Sequence, residues 1–320
     1  MGSTKSEIES LEEELWKLDE NKTFPNKAPL LAHYTSLATL EQIAGAKELW
    51  LSHPYLMNDH QELAWALEEG VRRALGDAQL TAALGVSAGE FGEILSNLSG
   101  ADINSYNLDI YLACFSEHVL DRDGDGVLSM WRAYGGGGSG AALIFDSSKL
   151  IADEASPFIL APVAYYSTEE RLAFIDWAVF MMSVTVKNIA PLDRHTLQEL
   201  AWIYYHRLRV FALFTKHVGF AEENEWRLVY DPKRDDWDEY VDCRSYVITS
   251  RGIEPKLKLP LNSDRSSSKV KFDEILSAVL LGPAASSALS LHATRRMLKE
   301  LGCAVLSESV SASGTPLRLG

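Results

Sequence analysis

Hydrophobic positions first recur at helical spacing. Ile8, Leu11, Leu15 and Leu18 share one face between Lys5 and Leu18, and Ser6 with Glu9 has capping-box spacing. Lys22 to Pro29 reads as a linker. Leu30 to Thr35 then reads as a strand, and Ser36 caps a helix through Gly45 with Leu37, Leu40 and Ile43 facing inward. Leu49 to Ser52 is a second strand, broken by Pro54. Asn58 or Asp59 caps a long helix whose buried side carries Leu63, Ala66, Leu67 and Val71.

Further along, residues 77–105 read as a helical insertion. Asp109 to Ser116 is too apolar to alternate and reads as a buried strand. Leu128 to Tyr134 is a turn or short helix, followed by the glycine run 135–140. Strands follow at Ala141 to Phe145 and Phe158 to Tyr166. Two long helices, about 169–187 and 193–216, carry Trp177, Phe180, Trp202, Tyr204, Tyr205, Phe211 and Phe214, stripes expected to be core. Strand Trp226 to Tyr230, a charged loop 231–240, a strand within Val270 to Leu281, a helix from Ala284 to Leu301 and a last strand Cys303 to Ser309 complete the pattern. The tail after Val310 is expected to fray. Strands and helices mix without regular alternation, which predicts α+β around a mixed central sheet. The division expected is an N-terminal helix and linker at 1–27, a single α+β domain at 28–310 with insertions near 77–105 and 169–216, and a tail at 311–320.

Composition narrows the function. The chain has 320 residues, 47% of them hydrophobic, enough for a large core, and a net charge of −15. Such an acidic surface repels phosphate backbones, which disfavours a dedicated nucleic-acid binder and favours a small-molecule or protein partner. Three scattered cysteines and the lack of an apolar leader fit reduced thiols in the cytoplasm. No apolar stretch is long enough to span a bilayer, so no membrane partner is expected.

Several motifs could carry chemistry. Asp121, Asp123 and Asp125 start like a calcium loop, but its closing position is Arg132, a cation. The histidines lack metal-ligand spacing, so no metal is expected. The glycine run before a strand reads either as a flexible turn or as a close backbone approach to a ligand. Glu223 and Glu225 are two apart and share a strand face, where Arg227 either neutralises Glu225 or leaves it reactive. Arg132 either grips an anion or pairs with an acidic neighbour.

Taken in order, His33-Tyr34-Thr35-Ser36, Asn58-Asp59 with Glu62, Cys114-Phe115-Ser116, Trp131-Arg132 with Tyr134, a Gly-led strand ending Phe145-Asp146, Glu223-x-Glu225-Trp226-Arg227 and Leu281-Gly282-Pro283 resemble the bacterial domain of unknown function 2971, over roughly 28–310. His60 replaces that family's usual proline. More distantly, the His-x-Thr strand, helix and short strand look like the opening of the ADP-ribosyltransferase fold. That resemblance implies an enzyme cleaving the nicotinamide–ribose bond of NAD and passing ADP-ribose to a macromolecular acceptor, as a toxin or phage-defence effector would. It implies roles too. His33 holds the ribose and carboxamide side of NAD, Glu225 stabilises the oxocarbenium-like transition state, and Glu223 orients or deprotonates the acceptor. Tyr34 or Tyr134 stacks on nicotinamide, and Ser116 or Tyr134 fills the middle motif. Thr35, Asn58, Trp131, Arg132 and Arg227 complete the expected nucleotide site. The alternatives are an NAD glycohydrolase and a non-catalytic nucleotide- or protein-binding module. On the enzyme reading, His33 and Glu225 share one cleft.

Overall fold

A computed structural model of the chain describes residues 2–15, 21–57, 60–100, 109–150, 156–249, 252–262 and 270–316. In chain order it runs α1 (Gly2–Glu14), β1 (Leu30–Thr35), α2 (Leu37–Ala46), β2 (Glu48–Ser52), α3 (His60–Gly76), α4 (Ala78–Leu84), α5 (Ala88–Gly100), β3 (Tyr111–Glu117), α6 (Leu120–Asp123), α7 (Leu128–Ala133), β4 (Ala141–Asp146), β5 (Phe158–Pro162), β6 (Ala164–Tyr166), α8 (Thr168–Asn188) and α9 (Arg194–Phe214). It continues β7 (Thr215–His217), β8 (Glu225–Tyr230), β9 (Arg244–Thr249), β10 (Gly252–Pro260), α10 (Phe272–Ile275), β11 (Leu276–Leu281), α11 (Ala288–Glu300), α12 (Ala304–Glu308) and β12 (Val310–Ala312). The fold is α+β with a mixed central sheet. Among the described residues no helix is long and apolar enough to cross a membrane. Contacts divide the chain into two compact units, one of Met1–Asp19, Pro54–Ile110 and Val163–Ala221, the other of Glu20–His53, Tyr111–Pro162 and Glu222–Gly320.

The first unit is helical and holds α1, α3, α4, α5, α8 and α9. Its helices form where apolar spacing and caps agree. Ser167 and Glu170 close a capping box on α8, and the Asp193 side chain accepts from the Thr196 amide at the start of α9. Helix α9 is largely buried, with Leu197, Leu200, Tyr204, Phe211 and Phe214 inside. The Tyr204 hydroxyl donates to the Gly70 carbonyl at 2.8 Å, and Leu208 crowds Gly70 where any larger residue would meet it. The aromatic stripe is not wholly core, because Trp177 and Phe180 of α8 are exposed. Residues 164–166 leave the main sheet and pair in parallel with β7.

The second unit is built on the sheet. Its neighbours run β12-β11-β4-β1-β3-β2-β10-β9, with β8 on the other edge of β3 and β5 beyond β8. The main-sheet pairs are antiparallel except β11 with β12. One edge of β3 serves two strands. Its C-terminal half pairs β1 through Ala32 and Ser116, and its N-terminal half meets β2 through Ser52 and Leu112. The sheet therefore forks at Cys114. Leu31, Leu49, Leu51, Phe115, Leu143, Phe145, Trp226, Leu257 and Leu259 form one apolar core, which Leu40, Ile43 and Ala44 of α2 join.

Several local expectations change. Helix α1 begins before Ser6, which is therefore no N-cap, and Leu18 and the Asn58-Asp59 cap lie outside the described residues. Leu37 is exposed. Residues 304–308 are helical and not a strand, and Val310 to Ala312 is a strand and not a frayed end, because it pairs with β11. Strands β9 and β10 are not among the expected elements.

Candidate functional site

Faces of the sheet follow from register, since cross-strand partners share a face and neighbours along a strand alternate. Ala32 pairs with Ser116, and Ser116 with Glu225. These three, with Cys114 and Arg227, lie on one face. His33 pairs with Leu143, packs its ring 5.6 Å from that of Phe115, and lies on the other, apolar face. The expected cleft shared by His33 and Glu225 is therefore not formed. His33 has a structural task instead. Its Nδ1 lies 2.9 Å from the Cys114 carbonyl oxygen, which the fork leaves between the β1 and β2 pairings. A carbonyl only accepts, so Nδ1 carries the proton. Burial lowers the His33 pKa, and the bond to Cys114 offsets part of that. Neutral His33 thus plugs the fork.

On the opposite face, Glu225 and Arg227 project side by side. The Arg227 Nε donates to Glu225 Oε1 at 2.8 Å and its Nη2 to Oε2 at 3.2 Å, a two-point pair with both side chains buried. Ser116 donates from Oγ to the Glu223 carbonyl at 2.7 Å, and Tyr134 donates from its hydroxyl to Glu223 Oε1 at 3.1 Å. Asn224 between the two carboxylates has φ 42°, and its carbonyl accepts from the Glu117 amide at 2.9 Å. Asparagine tolerates that left-handed turn better than most residues. The turn leaves Glu223 half-buried beside Tyr134 and sends Glu225 into the interior.

Residues 130–228 match the family model described as a protein of unknown function (DUF2971). No curated protein and no solved structure matches the chain. The matched stretch is narrower than 28–310, and it holds Trp131, Arg132, Tyr134, Glu223, Glu225 and Arg227.

The remaining expected residues separate. Tyr34 is buried, edge-on to Trp131 at 4.8 Å between centroids, and its hydroxyl accepts from the Val127 amide at 2.9 Å. Burial pushes its pKa up to about 12. Tyr34 packs α7 on the sheet and offers no ring to nicotinamide. Trp131 is fully buried, its Nε1 donating to the Asp125 carbonyl at 3.0 Å. Arg132 is exposed. Thr35 ends β1, and its carbonyl lies so near Gly140 that an added Cβ would come within 2.1 Å. The glycine run approaches its own chain: the Gly282 amide donates to the Gly140 carbonyl at 2.9 Å, and a Cβ on Gly282 would fall 2.3 Å from the Gly138 carbonyl. Asn58 lies outside the described residues. Among those residues no three His, Cys, Asp or Glu groups are arranged to hold a metal. The calcium-like loop is tied inward, with Asp125 Oδ1 accepting from the Gly314 amide at 2.6 Å and Asp123 Oδ2 from the Val119 amide at 2.9 Å.

The face of Glu225 extends through β3 onto β2 and β10. Lys256 pairs with Ser52 and Lys258 with Trp50, while Leu49, Leu51, Leu257 and Leu259 face the core. Lys256 Nζ donates to Ser52 Oγ at 2.7 Å and lies 3.3 Å from Glu254 Oε2. Lys258 Nζ sits 4.6 Å over the Trp50 ring, whose Nε1 donates to Glu48 Oε2 at 3.1 Å. The alternation Lys256-Leu-Lys-Leu was legible as a half-buried strand. Its cations could be assigned to the face of Glu225 only through the pairings of β10 with β2, of β2 with β3 and of β3 with β8.

Proposed function

We propose that this polar face of the second unit is a recognition module for NAD or a related nucleotide. The observation that supports it is the segregation of one sheet face. Half-buried Lys256, Lys258, Trp50 and Ser52 continue the face of buried Ser116, Glu225 and Arg227, with Leu112 and Val229 as apolar neighbours on it, along strands whose other side is apolar core. Lysines at alternate positions suit a diphosphate, a half-buried carboxylate such as Glu223 suits ribose hydroxyls, and an indole suits a base or nicotinamide ring. Recognition is favoured over catalysis because Glu225 is held by Arg227 and His33 stands on the opposite face. The experiment is calorimetric titration of the whole chain with NAD and with ADP-ribose, alongside a measurement of released nicotinamide. Saturable binding that Lys258→Met weakens about tenfold (~1.4 kcal/mol), with nicotinamide at the protein-free level, supports the module. Absence of binding to either ligand overturns it.

One observation favours a second reading, ADP-ribosyl transfer or NAD hydrolysis centred on Glu223. Ser116 holds the backbone of Glu223 and Tyr134 its carboxylate, and a fixed carboxylate is what stabilising an oxocarbenium ion calls for. Nicotinamide release that Glu223→Gln abolishes would establish it. Modification of an added protein acceptor would then separate transfer from hydrolysis.

A further inference from the structure

Lys47 and Cys303 are far apart in sequence and touch in the second unit. Lys47 follows α2 in the left-handed conformation, φ 57°, and Cys303 immediately precedes α12. The Lys47 Nζ is in direct contact with Cys303 Sγ. It also donates to the Leu301 carbonyl at 3.4 Å and stands 4.2 Å over the Phe272 ring. Three contacts thus fix the amine on the sulfur. Cys303 is completely buried, with Sγ 3.5 Å from the Ala44 carbonyl oxygen. Lys47 is half-buried.

We propose that Lys47 and Cys303 form a covalent sulfur–nitrogen cross-link when a hydroperoxide reaches the thiol. The peroxide oxidises the thiol to a sulfenic acid, leaving as water or alcohol. The Lys47 amine, as the free base with its proton given to solvent, attacks the sulfur. An S–N bond forms, the S–O bond breaks, and the hydroxyl leaves as water once the nitrogen loses a proton. The net change is the loss of two hydrogen atoms. A sulfenic acid ordinarily condenses with whichever nucleophile is near, and the fold has placed a primary amine there. The bond ties the start of β2 to the start of α12. It therefore restricts the unfolded chain and raises stability.

The test is to treat the whole chain with hydrogen peroxide, block free thiols, digest with trypsin and map peptides by mass. The expected product joins the Lys47 and Cys303 peptides, is lighter than their sum by two hydrogens, resists cleavage at Lys47 and disappears on thiol reduction. The melting temperature rises with it by a few degrees and falls back on reduction. Lys47→Met keeps the length of the side chain, loses the link, and makes Cys303 reactive to a sulfenic-acid probe. Replacing Cys114 and Cys243 with serine leaves the link intact. Cys303 recovered as a sulfenic or sulfinic acid beside unmodified Lys47 overturns the proposal. So does a link that retains one oxygen, which places an S–O–N bridge there instead.

Discussion

Ser116 is the cross-strand partner of Glu225, and its hydroxyl reaches past that residue to the carbonyl of Glu223 at 2.7 Å. One serine thereby sets the positions of two carboxylates with different surroundings. Glu223 is half-buried and bonded by the Tyr134 hydroxyl, while Glu225 is buried and locked to Arg227. The different roles proposed for the two carboxylates rest on this geometry.

Glu225→Gln removes the negative member of a buried pair. Breaking such a pair costs about 3–5 kcal/mol, so the urea midpoint should fall clearly. The double variant Glu225→Gln with Arg227→Met should recover part of the loss, because no guanidinium is then left beside a neutral amide. If Glu225→Gln melts like the natural chain, the pair is not a structural element.

His33 gives a pH signature. Burial lowers its pKa in the folded chain, whereas the unfolded chain titrates near 6.5. Below that value the unfolded state binds the extra proton and the folded state resists it, so stability is lost as the pH falls. Above it, His33 contributes no pH dependence. His118 is shifted the same way, mainly by burial, and adds to the effect. The drop in melting temperature between pH 7.5 and pH 5.5 should therefore shrink, without vanishing, in His33→Gln. Glutamine can still donate to the Cys114 carbonyl but does not titrate. An unchanged drop would assign the dependence to other groups.

Gly140→Ala should destabilise the second unit. The added methyl would fall 2.1 Å from the Thr35 carbonyl oxygen and 2.9 Å from that of Gly135. Both obstacles are backbone, so the strand ends have to part. Overpacking of this kind costs about 1–3 kcal/mol, readable as a lower denaturant midpoint. Gly137→Ala is the control for space, since nothing lies within 4 Å of its added Cβ, although its φ of 65° carries a separate cost. If Gly140→Ala is neutral, the run is a loose turn and not a packed junction.

Local rules made much of the fold readable. Strand β1 occupies the expected residues, Ser36 caps α2, and Leu63, Ala66, Leu67 and Val71 are buried on α3. These depend on periodicity and on one side chain meeting a nearby amide, both fixed within a few residues of sequence. Cys303 to Ser309 reads as a strand but folds around helix α12, because so short an apolar run fits helix and strand alike and packing against α11 and β11 decides between them.

The candidate site divides in the same way. The sequence by itself determined that Glu225 and Arg227 share a strand face, because side chains two apart on a strand point the same way. Glu223, expected on that face, instead ends a 3-10 turn and is set off from β8 by Asn224 with φ 42°. Tertiary structure alone decided which face each strand turned to its neighbours. A side chain's face is set by pairing, and a shift of one residue reverses it. That pairing put His33 against Phe115 and Leu143, away from Glu225. It also brought Lys256 and Lys258, some thirty residues beyond Arg227, onto the face of Glu225. The contact of Lys47 with Cys303 arose likewise from the closing of the sheet and its helices, over a separation that no local pattern spans.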